Sequence, residues 1–138
     1  MISESKIIKS NVSFHEYNMH NYIYNLKILN VPKIISYDKD KKELTMEKIS
    51  GMNLSDFYGE NIIDVPCNII KEVQTIIKTL KFYNIIYPDI TGYNFIKSNN
   101  KIWIIDFEHS YFCFDSQNYD PFVDKFIQGT KLWNPDFL

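Results

Sequence analysis

The stretch that most constrains the fold is residues 87–107, in which a polar loop is followed by two short apolar runs. Residues 95–97 and 101–105 are rich in the branched and aromatic side chains that favour strands, and residues 98–100, Ser-Asn-Asn, form turns readily. The pattern predicts an antiparallel hairpin. A hairpin of this length brings its two outer ends together, so the residue before the first strand lies near the residue after the second.

Three polar residues lie at these hairpin ends or in the loop before them. Asn94 precedes the first predicted strand, Asp106 follows the second, and Asp89 lies in the loop upstream. Amide and carboxylate oxygens are the ligands that hard divalent cations such as Mg²⁺ prefer. The hairpin therefore predicts a magnesium site between Asn94 and Asp106.

The same residues carry a resemblance to a known family. The pattern Asp-x-x-x-x-Asn, followed by two apolar residues, Asp and Phe, resembles the catalytic loop and metal-binding motif of the protein kinase superfamily. Residues 89–94, Asp-Ile-Thr-Gly-Tyr-Asn, are most similar to its small atypical branch, the RIO-like and tRNA-modification-associated kinases. The resemblance implies that Asp89 is the catalytic base, that Asn94 belongs to the catalytic loop and holds a second metal ion, and that Asp106 holds Mg²⁺ against the ATP phosphates.

The resemblance also implies a lysine that contacts the α and β phosphates and pairs with a glutamate on a helix. The candidates are Lys9, on the β-prone run 6–10, and Glu16, near the start of a predicted helix over residues 14–30. Only seven residues separate them, so ordinary surface charges are an equal alternative. Glu16 has a second alternative role, in a capping box that begins at Ser13.

Two further predicted strands, residues 31–37 and 43–46, resemble the last strands of a kinase small lobe. In that reading Met46 lies at the back of the adenine pocket, and Glu47 and Ile49 belong to the hinge whose backbone groups bind the base. Backbone recognition leaves no side-chain signature, so an ordinary strand end is equally compatible with the sequence.

The second half reads as a reduced large lobe. Asp64 and Pro66 predict the start of a long helix, with Asp64 as its cap, and Asn84 predicts its end. A short helix is expected over residues 121–128, after the capping residue Asp120. Tyr87 stands where kinases usually carry a histidine, and this departure weakens the inference of catalysis more than that of fold.

These elements predict an α+β protein with a minimal protein kinase-like fold, in a single domain over residues 1–138. Residues 1–50 form a reduced small lobe and hinge, a β-hairpin plus a helix, and residues 51–138 form a reduced helical large lobe with the catalytic-loop hairpin. The first glycine is Gly51. We therefore expect neither a glycine-rich phosphate loop nor the two strands that normally cover the nucleotide.

The composition bears on where the protein is located and on what it binds. No apolar run approaches the roughly 20 residues of a membrane span, residues 1–10 lack a secretory signal, and two cysteines offer no metal spacing. We expect an intracellular, cytoplasmic protein. A net charge of −2 without a basic block gives no signal for nucleic acid. The chain contains no Ala and no Arg while Ile, Asn and Lys abound, which suggests an adenine- and thymine-rich genome, such as that of a large virus or a parasite.

Three functions remain open at this point. The leading one is Mg-ATP-dependent phosphotransfer by an atypical serine/threonine protein kinase-like enzyme. The second is a weak or inactive pseudokinase that binds nucleotide or a protein partner, which the missing glycine-rich loop and Glu108, in place of the usual glycine, favour. The third is a small-molecule kinase. Protein partners are expected, and a second copy could complete the small lobe as a homodimer.

Overall fold

A computed structural model describes residues 5–138. The first part of the chain forms an antiparallel sheet in the order β1–β3–β2, with one helix beside it. Its elements are β1 (Lys6–Lys9), α1 (Phe14–Leu26), β2 (Ile34–Asp38) and β3 (Glu43–Glu47). The stacked rings of Tyr17 and Tyr37, 4.4 Å apart, pack α1 against the sheet.

The second part carries the remaining helices and two smaller sheets, β4–β6–β7 and β5–β8. Its elements are β4 (Met52–Asn53), α2 (Leu54–Tyr58), α3 (Cys67–Phe82), β5 (Ile85–Ile86), β6 (Phe95–Ser98), β7 (Lys101–Ile104), β8 (Tyr111–Phe112) and α4 (Pro121–Ile127). The predicted boundary at residue 50 falls between β3 and β4. It stays a prediction.

The core is built around α3. Its buried apolar stripe packs with residues in and around the loop 88–94, and the members of this cluster include Val73, Ile77, Leu80, Ile85, Ile86, Tyr87, Ile90, Phe95 and Phe107. Because these loop neighbours are almost fully buried, the loop starts and ends at fixed points of the core.

The predicted hairpin is present as β6 and β7, with Ser98 opposite Lys101. Asn99 and Asn100 both have positive φ, +51° and +62°. Positive φ at both central residues matches a two-residue type I′ turn, whose twist suits antiparallel strands, and asparagine tolerates this region better than most residues. The turn is thus one residue shorter than the tripeptide expected from the sequence.

Helix α1 contacts both parts of the chain through its histidines. The His15 Nε2–H donates to the Ser110 carbonyl oxygen at 2.6 Å, and the His20 Nε2–H donates to that of Pro32 at 2.8 Å. The ring nitrogens act as donors because a carbonyl can only accept. Burial lowers the pKa of His20.

Two local predictions need correction, and one element was not expected. Asp64 does not cap α3, because Val65 and Pro66 are extended and the helix begins at Cys67 without a side-chain cap. Helix α1 ends at Leu26, before residue 30, because Lys27 adopts a left-handed conformation with φ +56°. The ladder between β5 and β8 was not expected, since two-residue strands carry no period.

Within residues 5–138, no helix is both long and apolar enough to cross a bilayer.

Candidate active site

Asp106 and Asn94 meet at the open end of the hairpin, as predicted. The N–H of Ile105 donates to the carbonyl oxygen of Asn94 at 3.0 Å, which places the residue before β6 beside the residue that precedes Asp106. Asp106 itself has a φ of +66°. A left-handed conformation at a non-glycine residue costs roughly 1 kcal/mol or more, so the surroundings of Asp106 hold it there.

Asn94 connects this end of the hairpin to the catalytic loop. Its side chain is buried, and its Nδ2 donates to the backbone oxygen of Asp89 at 2.9 Å. The bond engages the amide nitrogen and leaves the amide oxygen for a cation. Asp89, Asn94 and Asp106 therefore form one contiguous site.

Tyr87 braces the peptide that precedes Asp106. Its ring is 1% exposed and lies edge-on to Phe95 and Phe107, and its hydroxyl donates to the carbonyl oxygen of Ile105 at 2.5 Å. Burial raises the pKa of Tyr87 well above its usual range, so the hydroxyl stays protonated and acts as a donor. The tyrosine at the position where kinases usually carry histidine thus contacts the peptide next to Asp106 directly.

Asp89 carries its carboxylate in a largely buried position. Burial raises the pKa of Asp89, and repulsion from Asp106 adds to the shift, while His109 and Asn94 oppose it. The His109 Nδ1 lies 3.4 Å from Asp89 Oδ2. A carboxyl with a raised pKa is a better proton acceptor than an exposed one.

The structure brings Lys9 and Glu16 together. Lys9 Nζ lies 2.6 Å from Glu16 Oε2 and 3.3 Å from Asp106 Oδ1. The Glu16 carboxylate thus takes the ion-pair role, and only half of the expected capping box forms, because the Glu16 backbone N–H donates to the Ser13 hydroxyl while its side chain is engaged with Lys9. The short separation in sequence is bridged because β1 leads into α1 through a tight turn in which Asn11 has positive φ.

Charge and burial compete in this pair. Burial lowers the pKa of Lys9, but the hydrogen bond to Glu16 and the attraction of Asp106 outweigh it, so the net shift is upward. Burial raises the pKa of Glu16, and repulsion from Asp106 and Glu108 adds to the shift, so the net shift is upward although Lys9 opposes it. Lys9 is therefore charged at neutral pH, and Glu16 is the costlier partner to keep ionised.

Glu108 adds a third carboxylate to this corner. Ligand oxygens of Glu16, Asp106 and Glu108 all lie within 4.8 Å of one another. Carboxylate oxygens are hard donors that suit Mg²⁺. The sequence predicted Asn94 and Asp106 as metal ligands, and the structure places the carboxylates of Glu16 and Glu108 beside that of Asp106.

The predicted hinge residues line a cavity of about 280 Å³. Met46, Glu47 and Ile49 are on its wall, as is Ile105, which links the cavity to Asp106. The Glu47 N–H donates to the carbonyl of Lys33 and the Lys48 N–H to that of Ser5. Among residues 5–138, the Ile49 N–H has no backbone acceptor.

Size alone does not mark the site. A wider cavity of about 700 Å³ lies between Tyr93 and the C-terminal residues Trp133 and Phe137. Neither cavity is lined by Asp89, Asn94 or Asp106, but the smaller one contains Ile105, which directly precedes Asp106.

Sequence reasoning missed Asn134. It is 3% exposed, its Nδ2 donates to the Pro88 carbonyl at 2.8 Å, and its N–H donates to the Ile90 carbonyl at 2.8 Å. The Asn-Pro pair at 134–135 signals only the turn that Asn134 caps. Its contact with the catalytic loop, more than forty residues earlier in the chain, leaves no local pattern.

Comparisons with known proteins agree with this geometry. Residues 2–118 match the family model of the RIO domain. The EKC/KEOPS complex subunit BUD32 of Enterocytozoon bieneusi (strain H348) is 31% identical over 123 residues, an alignment that covers 81% of this chain and 59% of that protein. The chain thus spans about three fifths of the length of this curated relative. With a family match over most of its length and the kinase-type trio assembled, the chain belongs to the RIO domain family of atypical, kinase-like proteins.

Proposed function

We propose that this chain binds ATP with Mg²⁺ and transfers the terminal phosphoryl group to a serine or threonine hydroxyl of a protein. One observation carries the proposal: Lys9, Glu16, Asp89, Asn94 and Asp106 come from separate elements and converge on one site. Membership of a kinase-like family supports nucleotide binding, and the acceptor is our own inference.

The donor set fits magnesium, because an asparagine and an aspartate flank the open end of the hairpin and the Asn94 amide nitrogen, not its oxygen, is engaged by Asp89. Asp106 and Asn94 would hold the ion. When bound, Mg²⁺ neutralises charge on the phosphates and orients them.

The protein's own residues do the remaining work. Glu16 holds the Lys9 ammonium beside Asp106, where it is placed to attract phosphate oxygens. Asp89 accepts or orients the proton of the acceptor hydroxyl, and its raised pKa favours this role. The Ile49 N–H donates to the base, and Met46 closes the back of the pocket.

We also propose that the chain works with protein partners. The printed name of the relative describes a subunit of a complex, which supports association but does not identify a partner for this chain.

A second candidate is a nucleotide-binding module without turnover. Glu108 favours it, because a third carboxylate within 4.8 Å of Glu16 and Asp106 adds negative charge where the phosphates would lie. Replacing Glu108 with glycine separates the two functions. If Glu108 suppresses turnover, Glu108→Gly increases ATP hydrolysis, whereas if it acts as a ligand, the same change weakens magnesium-dependent binding.

Calorimetry of ATP binding, with and without Mg²⁺, tests the proposal first. Wild type and Asp40→Ala, which alters an exposed turn aspartate, should bind ATP more tightly with magnesium, and Asp106→Ala should lose that difference. Wild type that binds no ATP under either condition would refute the nucleotide site. ATP binding that is equal in Asp106→Ala and wild type would refute the metal assignment alone.

A further inference from the structure

Asn134 joins two separated parts of the chain around Asp89. Its Nδ2 donates to the carbonyl of Pro88 and its backbone N–H donates to that of Ile90, both at 2.8 Å. These two carbonyls lie on either side of Asp89. From this geometry we infer that Asn134 is a positioning residue, which sets the orientation of Asp89 for phosphotransfer; this inference rests on the proposed function.

The loop needs such a partner because it belongs to no helix or sheet. Within it, the Ile90 N–H reaches only the Pro88 carbonyl, at 2.7 Å, and the Thr91 N–H reaches only the Asp89 carbonyl, at 3.1 Å. Such two-residue turns constrain the backbone weakly. The carbonyls of Pro88 and Ile90 are bound by Asn134 and the carbonyl of Asp89 by Asn94, so two asparagines fix three successive peptides.

The orientation of the Asn134 amide is itself fixed. Its Oδ1 accepts from the Asp136 N–H at 3.1 Å, so the nitrogen must face Pro88. An aspartate at this position keeps the contact with Asp136 but places an oxygen against the Pro88 carbonyl. Asn134→Asp is therefore a nearly isosteric change that removes one loop contact and replaces it with repulsion.

The same C-terminal segment also approaches the Asp89 side chain. The Phe137 ring lies 5.0 Å from the ring of His109, and His109 Nδ1 lies 3.4 Å from Asp89 Oδ2. The turn of residues 135–137 that Asn134 caps thus contacts the Asp89 backbone at one end and its side-chain neighbour at the other.

Trp133 offers a matched control. It is 5% exposed in the same segment, and its Nε1–H has no partner among the described residues. Trp133→Phe thus disturbs the packing of the segment without removing a hydrogen bond to the loop. Asn134→Asp, Asn134→Ala and Trp133→Phe should be compared by kcat for ADP release, by calorimetric affinity and stoichiometry for Mg-ATP, and by thermal unfolding.

We expect kcat to fall about 10- to 100-fold in both Asn134 variants, because a small displacement of a reacting group costs this much. The Kd for ATP and the binding stoichiometry should stay within about twofold of wild type, because the Lys9, Asn94 and Asp106 contacts do not involve Asn134. Trp133→Phe should lose stability but keep kcat within about twofold. Equal loss of kcat in Trp133→Phe, or loss of ATP binding along with kcat, would overturn the inference.

Amide hydrogen exchange separates this inference from the proposed function. In Asn134→Asp the amides of Ile90 and Thr91 should exchange faster than in wild type or Trp133→Phe, whether or not the protein turns over ATP. Unchanged exchange would refute the positioning role even in an active enzyme. Wild type without ATP binding would refute the proposed function, and faster exchange would still support the structural part of the inference.

Discussion

Removing the Tyr87 hydroxyl tests how the metal-binding loop is held. Tyr87→Phe keeps the ring in its packed position against Phe95 and Phe107 and deletes only the group that donates to the Ile105 carbonyl. That carbonyl belongs to the peptide joined to Asp106. The change therefore loosens Asp106 without touching a proposed ligand.

The loss of folding stability in Tyr87→Phe depends on how deeply the Ile105 carbonyl is buried. A buried acceptor that loses its donor costs about 1–3 kcal/mol, and Ile105 is half-buried, so we expect about 1.5 kcal/mol. For a chain of 138 residues this lowers the unfolding midpoint by about 5 °C. Because the bond orients the backbone of a proposed ligand, magnesium-dependent ATP affinity should also fall about tenfold.

Tyr93→Phe is the matched control. Tyr93 is exposed, and its hydroxyl donates to Glu60 at 2.6 Å, a bond of nearly the same length as that of Tyr87. Since water replaces a lost bond at an exposed site, the midpoint should not move measurably. Differential scanning calorimetry measures the midpoints, and titration calorimetry measures the affinities. Equal midpoint shifts in the two variants would refute the reasoning from burial, and an unchanged affinity in Tyr87→Phe would show that Asp106 is held by other contacts.

Three other predictions concern the loop, the ion pair and the hairpin. Asp89→Asn should reduce kcat by about 10²- to 10⁴-fold, measured as ADP release. Because the pKa of Asp89 is raised, the wild-type protein loses folding stability as pH rises through that pKa. The free energy of unfolding of the variant, measured by urea denaturation, should therefore increase relative to that of wild type between pH 4 and pH 7. Lys9→Met should lower the free energy of unfolding by about 2 kcal/mol at pH 7. This is less than the loss expected for breaking a fully buried ion pair, because the Lys9 side chain is one-third exposed. Its deficit should shrink toward pH 5, since Glu16, whose pKa is raised, then takes up a proton, and a constant deficit would argue against this origin. Because φ is +62° at Asn100, Asn100→Gly should raise the unfolding midpoint. Asn100→Ala should lower the midpoint, with a loss of about 1 kcal/mol in the free energy of unfolding. Midpoint shifts of the same sign in the two variants would contradict the type I′ turn.

The centre of the fold could be predicted because its signals are local. A hairpin with a turn-forming tripeptide fixes where its two ends lie, so the proximity of Asn94 and Asp106 followed from spacing alone. The buried apolar face of α3 could also be predicted, because apolar residues that recur every 3.6 positions indicate an amphipathic helix whatever the helix packs against.

The remaining contacts depend on the three-dimensional arrangement. Whether Lys9 meets Glu16 depends on the turn at Asn11, which spacing cannot resolve. The bond from Tyr87 to Ile105 and the bonds from Asn134 to residues 88 and 90 join parts of the chain whose relative position is set by tertiary packing. The start of α3 was predicted too early in the chain. The sequence signals a helix correctly near Asp64, but Val65 and Pro66 are extended, so the helix begins at Cys67.

The two attachments made by the first turn of α1 have a consequence for control. Many kinases are switched off when the corresponding helix swings outward and its glutamate leaves the lysine. Here Glu16 is tied to β1 through Lys9, while the preceding residue, His15, is tied to Ser110 beyond the metal-binding loop. An outward movement of this helix would break both the Lys9–Glu16 and the His15–Ser110 contacts and leave the buried Glu16 carboxylate without its ion-pair partner. We therefore expect α1 to keep its position, so that any regulation of the proposed activity acts through another element or through a binding partner.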